Sequence, residues 1–361
     1  MAIALSHGGP TVYESQSPAQ EVLVGTARGI ATIVRDGSGW RVAGHVLTDK
    51  HISAILIEPH SGAIFAGAYK DGSLHASFDG GKTWERRDTG LAETDIYSLE
   101  AANIEGKARI FAGTEPARLF FSDDLGASWA EMPELRSVPT VDSWSFPGPP
   151  HVAHAKHITF DPRDPQTMYV SIEVGGLLRS RDGGRSFEDV PGMYEDVHRL
   201  VINPTDPKRM YVPGGNGLYV SEDEGANWTH VLTTEHEVGG YPDQLVLHPS
   251  NPDLMFIAAA KDSPGAWRMT HFAGARVSRS RDGGRNWQVL TNGLPDRMQG
   301  NIEAMCLDAR ADGCSLFAAT TSGEVFASDD SGDTWALVIK DLAPISKGGH
   351  FVPLMAGAAT A

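Results

Sequence analysis

Ser280-Arg-Asp282-Gly-Gly284-Arg-Asn286-Trp287 decides the fold, because its pattern, Ser-x-Asp-x-Gly-x-x-aromatic, returns along the whole chain. The other near-complete copies are Ser77 to Trp84, Ser122 to Trp129, Ser180 to Phe187, Ser221 to Trp228 and Ser328 to Trp335, and Asp36-Gly-Ser-Gly-Trp40 is a degraded one. Each residue type has a mechanical use in a tight turn. The aspartate accepts hydrogen bonds from turn N–H groups, the glycine takes a positive φ, and the aromatic ring plugs the space beneath a hairpin. Repetition at intervals of about 40 to 60 residues is the signature of a radial or stacked array.

Around each copy the same short strands recur, rich in β-branched and aromatic residues. The second strand of each unit reads Ala63 to Tyr69, Ala108 to Thr114, Gln166 to Ile172, Lys208 to Gly214, Asp253 to Ala259 and Ser315 to Thr320, with Glu21 to Ala27 as a seventh. Asp161-Pro-Arg-Asp-Pro165, Asn203-Pro-Thr-Asp-Pro207 and His248-Pro-Ser-Asn-Pro252 reverse the chain between first and second strands. These observations predict an all-β chain: a single seven-bladed propeller over residues 1–361 with four-stranded antiparallel blades and almost no helix. Its blades are expected at 52–92, 94–135, 154–192, 196–235, 241–293 and 301–340, with a last one closed by both ends of the chain, 350–356 joining 20–45.

The boxes resemble the Asp-box, or BNR, repeat of sialidases, sortilin-like receptors, xyloglucan-active glycosidases and photosystem II assembly propellers. That resemblance covers most of the chain and implies the fold, while the same fold serves catalysts and scaffolds alike. Sialidases of this kind also carry an Arg-Ile-Pro motif, and none occurs here. The similar xyloglucan enzymes use two facing propellers, whereas this sequence supplies one.

Composition limits the partners. A formal charge of -16, from 30 Lys+Arg against 46 Asp+Glu, repels a phosphate backbone and argues against nucleic acid. No apolar run is long enough for a membrane helix and no leader is recognisable, so a cytoplasmic, acidic, soluble protein is expected. Cys306 and Cys314 are too few for a disulfide framework and are expected to be reduced and buried.

In a propeller, chemistry belongs at the channel mouth, where the tops of the inner strands meet the long loops. The strand tops would bring His51, Tyr97, His154, Lys156, His157, His198, Asp243, Glu303 and His350 together. His51, His154, His157, His198 and His350 form the expected ligand set for a divalent transition metal, Zn, Mn, Fe or Cu. Glu303 or Asp243 would act as ligand or general base, and Tyr97 or Lys156 would supply a proton. Trp144, His151, His236, Trp267 and His271 lie in long loops and would face the substrate. His60, His75 and His248 fall at turns or outer strands and are set aside.

The expected activity is a metal-dependent hydrolase or lyase acting on a small polar molecule. A non-catalytic scaffold that binds a protein partner, and a glycan-binding protein or glycosidase, remain the alternatives. Each histidine taken singly fits a packing or hydrogen-bonding role better than a catalytic one, so the expectation rests on their convergence.

Overall fold

A computed structural model describes residues 2–70, 73–91 and 95–354. Seven sheets are arranged as blades, and in blades two to six each sheet is a simple antiparallel meander in chain order. Blade two is His51–Ile57, Ile64–Tyr69, Leu74–Ser77 and Glu85–Arg86, and blade three begins at Asp95–Ile104. The inner strands of blades four, five, six and seven are His154–Asp161, Val201–Ile202, Tyr241–His248 and Ile302–Arg310. Expected boundaries at 92, 94, 355 and 356 fall outside the described residues.

The apolar core lies between blades, since each sheet has two buried faces. Phe65 and Leu74 of blade two, for example, pack with Leu99, Phe120 and Trp129 of blade three. The box turns close the lower, outer corners. At the quoted copy, Asp282 accepts from the Asn286 and Arg285 N–H groups at 2.9 and 3.1 Å, and Ser280 Oγ accepts from the Gly284 N–H at 2.8 Å. Gly284 sits at φ +86°, and the Trp287 indole N–H donates back to its carbonyl at 3.1 Å. Hydrogen bonding to the carboxylate, led by Asn286, lowers the Asp282 pKa to about 2.

Ring closure departs from expectation. Blade one is built wholly from the N-terminal region, as Ala2–Leu5, Glu21–Thr26, Gly29–Asp36 and Gly39–Val46, with the first two paired in parallel. The next strand, Val12–Glu14, leaves that blade and pairs in parallel with Leu307–Ala309 of blade seven, making a fifth strand there. The expected C-terminal inner strand is instead a 3-10 helix, Gly349–Leu354, lying over the top of the ring. Its Pro353 has no N–H to offer a sheet, and an inner position was already taken by Ala2–Leu5. A short helix, Pro264–Thr270, also interrupts the long loop of blade six.

The link between Leu5 and Val12 crosses the channel. Gly8 donates to Ser53 O and accepts from the Leu99 N–H, so the backbone is clamped between blades two and three. A Cβ at Gly8 would stand 1.9 Å from Tyr97 O, and one at Gly9 2.0 Å from Ile55 O. Glycine is required at both places by this close approach.

Candidate functional site: the upper channel mouth

The tops of the inner strands do converge, but around a buried ionic core. Glu173, at the upper end of the second strand of blade four, accepts from the ammonium groups of Lys156 and Lys347, each at 2.9 Å, and from the His154 imidazole. Asp243 lies 3.3 Å from Lys156 and 3.4 Å from Lys347. It also accepts from Asn301 Nδ2 at 2.6 Å. Glu303 accepts from Ser346 Oγ at 2.8 Å and the Lys347 N–H at 3.0 Å, and pairs with His350 Nδ1 at 3.2 Å. Lys156, Glu173, Asp243, Glu303 and Lys347 are at most 1 % exposed.

Charges so deeply placed persist only when paired, because desolvation costs several kcal/mol per ion. Burial alone would raise the carboxyl pKa values, but the two ammonium groups overcome it and hold Glu173 and Asp243 well below the ordinary range. Burial would likewise lower Lys347, yet Asp243, Glu173 and Glu303 raise it. Lys156 goes the other way, since burial and the charge of Lys347 outweigh its carboxylate neighbours. His154 stands between Glu115 and Glu173, whose attraction exceeds the burial penalty and raises its pKa.

An aromatic collar surrounds this core. Rings follow one another from His51 to Tyr69 at 5.4 Å, Tyr97 at 5.6 Å, His154 at 4.0 Å and Phe146 at 4.9 Å. The series continues to His350 at 6.0 Å, Trp267 at 6.4 Å, Tyr241 at 6.0 Å and His198 at 4.5 Å. Most of the strand-top residues singled out from sequence are therefore brought together, as a wall around a plugged mouth.

The five expected metal ligands do not share a point. His51 Nε2 bonds Ser346 O at 2.9 Å, His350 faces Glu303, and His154 is held between two carboxylates. His157 lies lower in the channel, bonded to Thr159 Oγ1, with burial lowering its pKa far below the usual value. Only His198 belongs to a set with ligand geometry among the described residues: Glu173, Asp196 and His198 each offer an atom within 4.8 Å of the others. Tyr97 is 3 % exposed, and burial raises its pKa well above the ordinary value, so it is a neutral phenol stacked on His154. Asp243 and Glu303 are sealed from solvent and cannot meet a substrate in this arrangement.

The loop residues separate as well. Trp267 is fully buried, its indole donating to Asp262 O at 2.8 Å, so it anchors the collar rather than offering a platform. Trp144 is half-buried and bonds Thr140 Oγ1 at 3.3 Å, while exposed His151 and His271 bond Phe146 O and Pro353 O, each at 2.8 Å. His236 lines a different hollow, a cleft of about 600 Å³ bounded by Val231 and Trp287 on the flank of blades five and six.

Glu115, Glu173, Asp196, His7 and Lys347 were not anticipated. Glu115 and Glu173 each lie one residue beyond the second-strand runs 108–114 and 166–172, so reading those runs one step further would have placed both at the rim. Lys347 sits in an aperiodic segment and gave no signal. Cys306 and Cys314 are indeed free and buried. No helix among the described residues is long and apolar enough to cross a membrane.

Comparison with known proteins agrees with this architecture. Residues 175–299 match the sortilin–Vps10 family, described as sortilin, neurotensin receptor 3. A Paenibacillus xyloglucanase is 27% identical over 290 residues, covering 71% of this chain and 26% of that protein. A xyloglucanase of Acetivibrio thermocellus is 22% identical over 275 residues, covering 65% and 31%. The chain thus spans roughly a quarter to a third of the length of these curated relatives. Among solved structures, the GH74 xyloglucanase from Xanthomonas campestris superposes with a TM-score of 0.66 at 17% identity, over 93% of this chain and 55% of that one. YCF48 bound to D1 peptide gives 0.52 at 16% identity, over 91% and 88%. These likenesses join the chain by fold to the Asp-box propellers, among which xyloglucanases and a peptide-bound propeller both occur.

Proposed function

We propose that the protein is a glycan-recognising propeller whose ligand, an extended polysaccharide of the xyloglucan kind, lies across the upper rim. The observation that carries this reading is the match to xyloglucanases over about two thirds of the chain. The rim suits a polymer better than a small molecule. Its channel is filled by Gly8 and Gly9 from one side and by Lys347 from the other, while exposed Tyr194 and half-buried Phe351, Tyr69 and Phe146 offer ring surface around it. Sugar rings stack on such faces through their C–H groups, gaining apolar burial without a deep pocket.

Hydrolysis would fall to carboxyls that reach solvent. Glu115 and Asp196, with side chains 16% and 15% exposed beside the collar, are the pair we assign. Glycoside cleavage needs one carboxyl as general acid and a second as nucleophile or base.

Calorimetry with xyloglucan oligosaccharides, joined to a reducing-end assay, tests both levels. Binding weakened about tenfold by Tyr194→Ala without sugar release supports a binding module. Release abolished by Glu115→Gln or Asp196→Asn supports a glycosidase. Absence of xyloglucan binding by the folded protein overturns the reading and leaves a peptide as the next ligand to try.

A bound divalent cation is the second reading, favoured by one specific arrangement. His198 Nδ1 lies 2.6 Å from Pro242 O and so carries its proton there, leaving Nε2 as a lone pair. That atom is 3.3 Å from Asp196 Oδ1, yet both are buried with no hydrogen-bond partner. A cation between them, with Glu173 as third ligand, would satisfy both atoms, and a 3.3 Å ligand separation fits a tetrahedral site. The competing account is a second proton on His198.

A further inference from the structure

At the opposite, lower mouth a cavity of about 310 Å³ opens beneath the crossing segment, lined by Thr11, Glu100, His157, Thr159 and Arg199 among others. Arg199 is 2% exposed. Of its five N–H groups, one reaches Thr11 Oγ1 at 3.3 Å and another His7 O at 3.2 Å. Its Nε–H has no partner. The carboxylates that act on it, Asp243 and Glu100, do so at a distance, and neither forms an ion pair with it.

A buried guanidinium with no carboxylate hydrogen-bonded to it is an expensive arrangement. Burial lowers its pKa to about 10, which leaves it charged at neutral pH. Nothing else in the wall neutralises it. His157 is bonded to Thr159 Oγ1, which itself donates to Leu200 O at 2.9 Å, so His157 carries its proton on Nδ1 and is uncharged. Lys156, above, adds positive charge to the same region and is already paired with Glu173 and Asp243.

We propose that this lower cavity binds a small carboxylate anion, held by the Arg199 guanidinium, with the Glu100 carboxyl as its second neighbour. The fork of a guanidinium matches a planar carboxylate, and the volume is at the low end of the range for small organic ligands. Glu100 is suited to the role because burial raises its pKa to about 7. Below that pH it is an acid able to donate its O–H to the anion, and above it the two carboxylates repel. Binding therefore tightens as pH falls from 8 to 6. Around Arg199 and Glu100 stand His7, Tyr13, His157, Asp243 and Lys156: burial holds the two imidazoles and the phenol neutral, Asp243 stays ionised, and Glu100, raised to about 7, titrates within this window. This site is independent of the glycan reading, since it lies at the other end of the channel.

The test follows the Arg199 Nε–H resonance by nitrogen-15 NMR, and the thermal midpoint, during titration with sodium acetate at constant ionic strength. Sodium chloride and inorganic phosphate are run as parallel arms. The expected result is a saturable shift of the Nε–H signal with acetate, at least tenfold weaker in Arg199→Met and about tenfold weaker at pH 8 than at pH 6. Glu100→Gln keeps the acetate response and loses its pH dependence. Arg199→Lys retains the charge and guards against a folding failure in the methionine variant; it is expected to bind several-fold more weakly than wild type. An Nε–H signal indifferent to acetate in the folded wild type, an equal response to chloride, or a response to phosphate alone would each overturn the assignment.

Discussion

Lys347 Nζ donates to Glu173 Oε1 at 2.9 Å across 174 residues of chain, pinning residues 343–354, a strap over the upper mouth, to the second strand of blade four. Removing one partner of a buried ion pair leaves the other uncompensated, which typically costs about 3–5 kcal/mol. Lys347→Met is therefore expected to lower stability by about that amount in chemical denaturation and to expose residues 343–354 to limited proteolysis. A variant as stable and as resistant as wild type would show that the strap is held by packing alone.

The crossing segment makes a second prediction. Gly8→Ala places a Cβ 1.9 Å from Tyr97 O, and backbone cannot yield as a flexible side chain can. Destabilisation of about 1–3 kcal/mol or more is expected by denaturant titration. Ala substitution at Gly37, where nothing lies within 4 Å of the added carbon but φ is +60°, is the control for backbone strain without a clash.

Among the box turns, Ser280→Ala removes a buried hydroxyl that accepts from Gly284 N–H and donates to Asp282 at 2.8 Å each. The loss expected is about 1–2 kcal/mol, read as a lowered denaturation midpoint with an unchanged slope.

Stability should fall as pH drops below about 6.5. His7 and His157 are both held neutral by burial, their folded pKa values lying well below the unfolded 6.5. Unfolding then takes up protons, and each group contributes a slope of up to about 1.4 kcal/mol per pH unit until its folded pKa is reached. His154 has the opposite sign: its pKa is raised, so its contribution is full below 6.5 and is lost as pH rises through the folded value. His157→Asn is expected to flatten the acid limb, measured as the midpoint of urea unfolding between pH 5 and pH 7.

For the cation reading, zinc at low micromolar concentration is expected to raise the thermal midpoint of wild type and leave His198→Ala and Asp196→Asn unmoved. No shift in wild type, with nitrogen-15 NMR showing both ring nitrogens of His198 protonated, would assign the proton instead.

The repeat made the blades readable, because Asp282, Gly284 and Trp287 are demanded by a local turn whose geometry is complete within eight residues. Closure was not readable in the same way. Whether Ala2–Leu5 or the segment at His350 fills an inner position depends on competition between two distant pieces of chain, and local pattern carries no information about the winner. At the mouth, strand register brought His154, Lys156, Asp243 and Glu303 to one place as expected. Their role changed because Lys347 and Glu173 arrived too, turning a set of apparent ligands into mutually neutralised ions.

The parallel pairing of Val12 with Leu307 has a consequence for how the chain is made. Val12–Glu14 leaves the ribosome long before its partner strand, and at about 5–20 residues per second blade seven follows roughly 15–60 s later. Through that interval residues 6–14 have no channel to cross, and the inner edge of blade one has no neighbour on its far side. The ring is therefore completed as one late event, and a nascent chain stalled before residue 302 is an open arc that a protease or a holdase would find first.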